Sequence, residues 1–132
     1  MAPEPVDPIP PAAIAVSAEP GRYAVVWSTY PGPEAAERAA GDLVERRLAA
    51  CVAIVPKIVS VYRWQGAIER SDEAVLLAKT RASAAEAVMA TLRATHPYEL
   101  PALLVLPVAA ASAAYGAWIE AETDGRGEGS ET

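Results

Sequence analysis

Cys51–Gln65 reads CVAIVPKIVSVYRWQ, a run dominated by β-branched and apolar residues. Alternation sorts it into two faces. Ile58, Ser60, Tyr62 and Trp64 share one; Lys57, Val59, Val61, Arg63 and Gln65 share the other. The pattern predicts one long strand. Pro56 has no amide hydrogen to give a ladder, so it marks an edge position or a bulge. Gln65-Gly66 reads as a hairpin turn, because Gly66 accepts positive φ. The return strand is expected from Ala67 to Thr80, with an irregularity at Arg70-Ser71-Asp72-Glu73. Its apolar half, AVLLA, reads as covered on both faces.

Length makes this hairpin decisive. At ~3.3 Å per residue the outgoing strand reaches roughly 50 Å. A preceding helix over Glu34–Ala50 would span only about 25 Å at ~1.5 Å per residue. The hairpin is therefore expected to overshoot its helices while still carrying Val59, Val61, Tyr62, Trp64 and Ile68. An apolar ribbon in water aggregates unless something pairs with it. A closed homo-oligomer would shelter it. The alternative is a sharp bend at Pro56 that folds the strand back.

Outward from the hairpin, Tyr23–Tyr30 (YAVVWSTY) reads as a buried strand and Pro31-Gly32-Pro33 as a turn, with Pro33 suited to opening a helix. Ala36, Ala40, Leu43, Val44 and Leu48 form one apolar stripe on Glu34–Ala50, and Glu34–Arg38 and Asp42–Arg46 are i,i+4 pairs. Ser83-Ala84-Ala85-Glu86 matches a capping box for a second helix reaching Thr95, with Ala85, Val88, Met89 and Leu92 inward and Pro97 ending it. Ala102–Ala109 is expected as a last core strand. Ser112 then caps a short helix carrying Tyr115, Trp118 and Ile119. The order β-α-β-β-α-β plus a terminal helix is an α+β class, the ferredoxin-like arrangement with an extended β2–β3 hairpin.

The chain has 132 residues, 52% of them hydrophobic and 21% charged, enough apolar material for one core. Residues 21–122 are expected as the single domain. Residues 1–20 hold six of the 12 prolines and read as a disordered or polyproline-like tail; 123–132 read as an acidic solvated tail. The formal charge of -6 sits in these ends, since residues 1–20 carry -3, 120–132 carry -4, and the remainder is +1. A near-neutral body argues against nucleic acid as a partner. No run approaches the ~20 apolar residues of a membrane span, and no Lys or Arg precedes the apolar stretch near the start as a signal peptide requires. One cysteine, Cys51, excludes an intrachain disulfide framework and fits a reducing cytoplasm.

Chemistry-bearing residues are few. There is no Gly-x-Ser-x-Gly elbow, phosphate-cradling loop, CxxC or HExxH, which argues against an enzyme. Asp72-Glu73 reads as solvated. His96, the one histidine, sits at a helix end in His96-Pro97-Tyr98-Glu99. Either its imidazole caps the last carbonyls, or it is a metal ligand helped by Glu99 or a thiolate. Cys51 is either a small core hydrophobe or that thiolate.

Six blocks taken together resemble the divalent-cation tolerance family, CutA: STYP (Ser28–Pro31), ERRLAACV (Glu45–Val52), SVYRWQGAIE (Ser60–Glu69), LLAKT (Leu76–Thr80), HPYELP (His96–Pro101) and YGAWI (Tyr115–Ile119). The resemblance implies a ferredoxin-like protomer, a homotrimer joined through the long hairpins, and a cytoplasmic bacterial protein that responds to metal ions without being an enzyme. It also implies copper binding, Cu²⁺ above all; joined to the reading of the residues above, His96, Glu99 and Cys51 are the candidate ligands. Some members ligate copper through a Cys and two adjacent His; those positions correspond here to Ser28, Thr95 and His96, of which only His96 is retained. The fold further looks like that of PII signalling proteins. On that analogy Tyr62, Trp64, Lys79, Tyr98 and Trp118 would line an inter-subunit cleft for a small molecule.

Overall fold

The computed structural model describes residues 21–123. Strand β1 (Tyr23–Tyr30) leads into helix α1 (Pro33–Glu45), then strands β2 (Cys51–Trp64) and β3 (Ala67–Arg81). A 3₁₀ turn at Ala82–Ala84 precedes helix α2 (Ala85–Thr95), strand β4 (Leu103–Pro107) and helix α3 (Ala113–Glu122). The strands form one sheet in the order β2-β3-β1-β4, antiparallel throughout.

Alternation along β1 sends Ala24, Val26, Ser28 and Tyr30 to one face, where Leu43 of α1 and Val88 and Leu92 of α2 cover them. Tyr23, on the other face, packs with Ile119 of α3. There a Cβ at Gly116 would lie 2.6 Å from the Tyr23 hydroxyl, so only glycine admits this contact. Farther along that second face Thr29 and Val75 are also buried, whereas Leu104 and Leu106, opposite Trp27 and Val25, are exposed.

The hairpin overshoots as expected. β1 borders β3 only from Ala74 to Arg81; residues Ala67–Glu73 have β2 alone beside them. Val61 and Ile68 in this two-stranded ribbon are 68% and 62% exposed. The strand does not fold back at Pro56. Val55 pairs with Val75 and Ile58 with Glu73, so Pro56-Lys57 is a bulge opposite Ala74. The irregularity expected at Arg70–Glu73 is therefore on the partner strand instead; Ser71, Asp72 and Glu73 pair in regular register. The missing proline amide decides which strand bulges.

Other boundaries also moved. α1 stops at Glu45, five residues before the expected Ala50. Arg47 takes φ 59°, the Leu48 amide reaches the Leu43 carbonyl at 3.0 Å, and the Arg47 amide reaches Val44 at 3.0 Å. That is a Schellman closure, with Leu48 packed in the same core as Leu43. The capping box at Ser83 does not form. Ser83 lies inside the 3₁₀ turn, so Ala84 precedes α2 with no side-chain cap. Ser112 does cap α3, accepting the Tyr115 amide at 3.3 Å. β4 is shorter than Ala102–Ala109 and lies at the sheet edge, with Leu104 53% exposed, rather than in the core. Its helix-side neighbour Leu103 alone packs on the main cluster.

The expected tails, 1–20 and 123–132, lie outside the described residues except for Thr123. Thr123, expected in the second tail, is buried: its hydroxyl donates to the Ile119 carbonyl and accepts from Arg81 Nε at 2.8 Å. Among the described residues no helix is long and apolar enough to cross a membrane.

Candidate functional site

Pro97 forbids its predecessor the helical conformation, so α2 ends at Thr95 and His96 turns extended, with ψ 136°. That turn aims the imidazole at β1 rather than at the carbonyls of its own helix. Nδ1 accepts the Tyr98 amide hydrogen at 3.1 Å, which assigns the ring proton to Nε2. Nε2 donates to the Thr29 carbonyl at 2.9 Å and lies 3.3 Å from Ser28 Oγ. The ring stacks on Tyr30 at 4.2 Å between centroids. Burial lowers the His96 pKa from 6.5, opposed by the Thr29 bond and by Glu73. The imidazole is thus neutral at pH 7, and both nitrogens are engaged.

These contacts test the metal expectation. Ser28, which the resemblance set at a metal-ligand position, presents a fully buried hydroxyl. Glu99 is exposed on a neighbouring cavity wall. Cys51 pairs with Lys79 on β3, near the Val25 end of the sheet, whereas His96 bonds β1 at Ser28 and Thr29. Among the described residues no three of His, Cys, Asp or Glu cluster as a metal site. His96, Glu99 and Cys51 of one chain do not form a ligand set.

The five cleft candidates separate into two groups. Tyr62, Trp64 and Tyr98 converge on a cavity of about 590 Å³. Lys79 and Trp118 meet elsewhere, through Tyr115: Lys79 Nζ donates to the Tyr115 hydroxyl at 3.1 Å, and Tyr115 stacks on Trp118 at 5.6 Å. The bond to Tyr115 raises the Lys79 pKa, so the ammonium stays charged.

Trp27, Ser71 and Glu73 join the first cavity. The Tyr98 hydroxyl donates to Glu73 Oε2 at 2.8 Å, and Tyr62 and Ser71 share a hydroxyl bond of 2.7 Å. Glu73 is half-buried, not solvated as expected, because the regular register turns it inward beside Ile58. Burial, reinforced by Glu73, pushes the Tyr98 pKa well up and keeps its proton in place. The strand period could have found Glu73 and Ser71, since both share the Tyr62 face once the bulge is assigned to β2. Trp27 shows the same alternation on β1. The arrangement offers aromatic faces, carboxylates and hydroxyls, a binding surface in chemical character.

Comparison with known proteins agrees with this fold. The family model described as CutA1 divalent ion tolerance protein matches residues 24–122. The divalent-cation tolerance protein CutA of Thermus thermophilus is 42% identical over 99 residues, 75% of this chain and 96% of that protein. Protein CutA of Mus musculus is 36% identical over 115 residues, 87% of this chain, and the chain spans only 65% of the mouse protein's length. The solved structure of CutA from Synechococcus elongatus superposes with a TM-score of 0.80 at 35% identity, over 86% of this chain and 99% of that one. The chain belongs to the CutA1 divalent ion tolerance family.

Proposed function

We propose that the protein is a non-enzymatic, cytoplasmic metal-response protein that acts as a homotrimer and binds Cu²⁺ weakly, with His96 as its one nitrogen ligand and no nucleic-acid or membrane partner. The observation that carries this reading is the continuous family match over residues 24–122, together with a single imidazole held neutral at a strand end. Weak binding follows from the geometry. To reach a metal, Nε2 must leave the Thr29 carbonyl, and soft copper gains little from the Ser28 hydroxyl beside it. A complete ligand set requires side chains from neighbouring subunits. Calorimetric titration of Cu²⁺ into wild type and His96→Ala tests the assignment. The variant is expected to lose binding, and equal affinities remove His96 as the ligand. Protonation competes with metal for the imidazole, so wild-type affinity falls with pH in the acid range.

The cavity carries a second reading, a PII-like module that binds a small molecule through Tyr62, Trp64 and Tyr98. Its volume lies within the ~300–1,000 Å³ of ordinary ligand pockets, and Trp27, Tyr62, Trp64 and Tyr98 put four aromatic rings in its wall. Tryptophan fluorescence across a metabolite panel tests it, because Trp27 and Trp64 are two of the three tryptophans in the chain. Silence across a broad panel counts against it.

A further inference from the structure

On the helix side of the sheet a second cavity, of about 500 Å³, lies between α1 and the C-terminal end of α2. Arg38, Asp42 and Arg46 recur every four residues along one face of α1 and line it, together with Tyr30 and Thr95. None of its lining residues belongs to the ribbon Ile58–Glu73 or to β4, so the surfaces that a neighbouring copy would cover are elsewhere. Arg46 Nε donates to Asp42 Oδ1 at 3.0 Å. Arg38 has no ion pair among the described residues. Its expected partner is turned away: Glu34 Oε1 reaches back to Gly32, 3.3 Å from where a Cβ on that glycine would stand. Two guanidiniums and one carboxylate leave the wall at +1, on a chain of formal charge -6. Tyr30 adds a neutral donor. Its hydroxyl is the one buried side-chain polar atom without a hydrogen-bond partner among the described residues, and burial keeps it protonated.

We propose that this cavity binds a small organic monoanion, a carboxylate on a short apolar body, with Arg38 and the Tyr30 hydroxyl as its donors. Neither a metal at His96 nor the cavity under the hairpin is involved. A guanidinium presents parallel N–H groups that match the two oxygens of a carboxylate, and its bonds to an ionised acceptor are about twice as strong as neutral ones. An unpaired phenolic proton is satisfied by an acceptor, which a carboxylate brings and an ammonium does not. Charge narrows the class further. A monoanion balances the +1 of the wall, whereas a phosphate dianion exceeds it and meets Asp42. The volume lies within the ~300–1,000 Å³ of ordinary ligand pockets, and Pro31, Ala35, Ala39 and Pro97 give the apolar body a surface to lie on.

The test uses the full-length protein in its solution assembly, titrated by calorimetry with benzoate, its uncharged analogue benzamide, and inorganic phosphate. Benzoate is expected to saturate, and benzamide and phosphate to bind roughly tenfold more weakly. Arg38→Gln should weaken benzoate about tenfold and leave benzamide unchanged. Arg38 is exposed, so circular dichroism and mass in solution should match wild type. Arg93→Gln removes the same charge from an exposed position of α2 outside the cavity and should leave benzoate binding as it was. Tyr30→Phe should weaken benzoate severalfold while raising the melting temperature, because it removes the unpaired hydroxyl. Equal affinity for benzoate and benzamide overturns the proposal, as does a benzoate titration that never saturates or one that Arg38→Gln leaves unchanged. Equal losses in Arg38→Gln and Arg93→Gln reduce the effect to net charge and overturn it too. Phosphate binding tighter than benzoate overturns the ligand class, and undiminished benzoate binding in Tyr30→Phe removes the hydroxyl from the site.

Discussion

Tyr30 is 2% exposed, and its hydroxyl has no hydrogen-bond partner among the described residues. Burial alone pushes its pKa up to about 12, so the phenol stays protonated with nowhere to donate. A buried polar group left unpaired costs ~1–3 kcal/mol. Tyr30→Phe keeps the ring that supports His96 and removes the cost. Thermal unfolding should show the variant more stable by about 1 kcal/mol. His96 answers to pH in the opposite sense. Its folded pKa lies below 6.5, so on acidification the unfolded chain takes up the proton first. The stability that the neutral imidazole contributes is present above about pH 6.5 and is lost as pH falls toward the folded value. With one histidine in the chain, no second imidazole confuses that window. The melting temperature is expected to fall between pH 7 and 5.5, and His96→Gln should flatten that slope. His96 stood out in the sequence as the lone histidine of the HPYELP block. Its bond to the Thr29 carbonyl did not, because the sequence carries no signal for which carbonyl 67 residues away a turned ring will meet.

Among the elements, long alternating patterns were legible and closures were not. β1 matches its expected bounds, and β2 and β3 differ from theirs by one residue each. Their patterns are set by burial of one face, which a single-residue slip would invert. The end of α1 and the start of α2 depend instead on single backbone choices. Arg47 enters the left-handed region against its own preference because Leu48 must reach the core with Leu43. The hairpin tip makes the same kind of choice: Gln65 and Gly66 have φ 51° and 86°, a type I′ turn. Glycine suits the second position at no steric cost. Glutamine at the first does not, and asparagine tolerates that region better. Gln65→Asn is therefore expected to stabilise the exposed hairpin by roughly 0.5 kcal/mol. Hydrogen exchange at the amides of Val61–Ile68 should slow in the variant; unchanged exchange would show that the turn does not limit opening of the ribbon.

For the whole molecule, the question is what covers the apolar surface that one chain leaves in water. The ribbon Ile58–Glu73 has seven paired positions and no sheet beside them. A two-stranded hairpin is marginal by itself. β4 adds a second demand, since among the described residues its outer edge has no strand partner and Leu104, Val105 and Leu106 are 53%, 39% and 43% exposed. An overlong ribbon and an unpartnered apolar edge on one protomer are complementary needs. A ring of copies, each offering its ribbon to the next copy's edge, meets both. This complementarity was half visible in the sequence. The overshoot followed from strand length, whereas the edge did not, because ALLVLPVA reads the same in a covered strand as in a bare one. Light scattering at micromolar concentration is expected to give three times the chain mass of 13.8 kDa. Leu104→Glu with Leu106→Glu places two carboxylates where the next copy would seat. That variant should lose the assembled mass and acquire the low melting temperature of an unsheltered ribbon. A wild-type chain that scatters as a single stable copy would mean that the ribbon needs no neighbour. Assembled mass that survives both glutamates would move the contact away from the β4 edge and onto the hairpin alone.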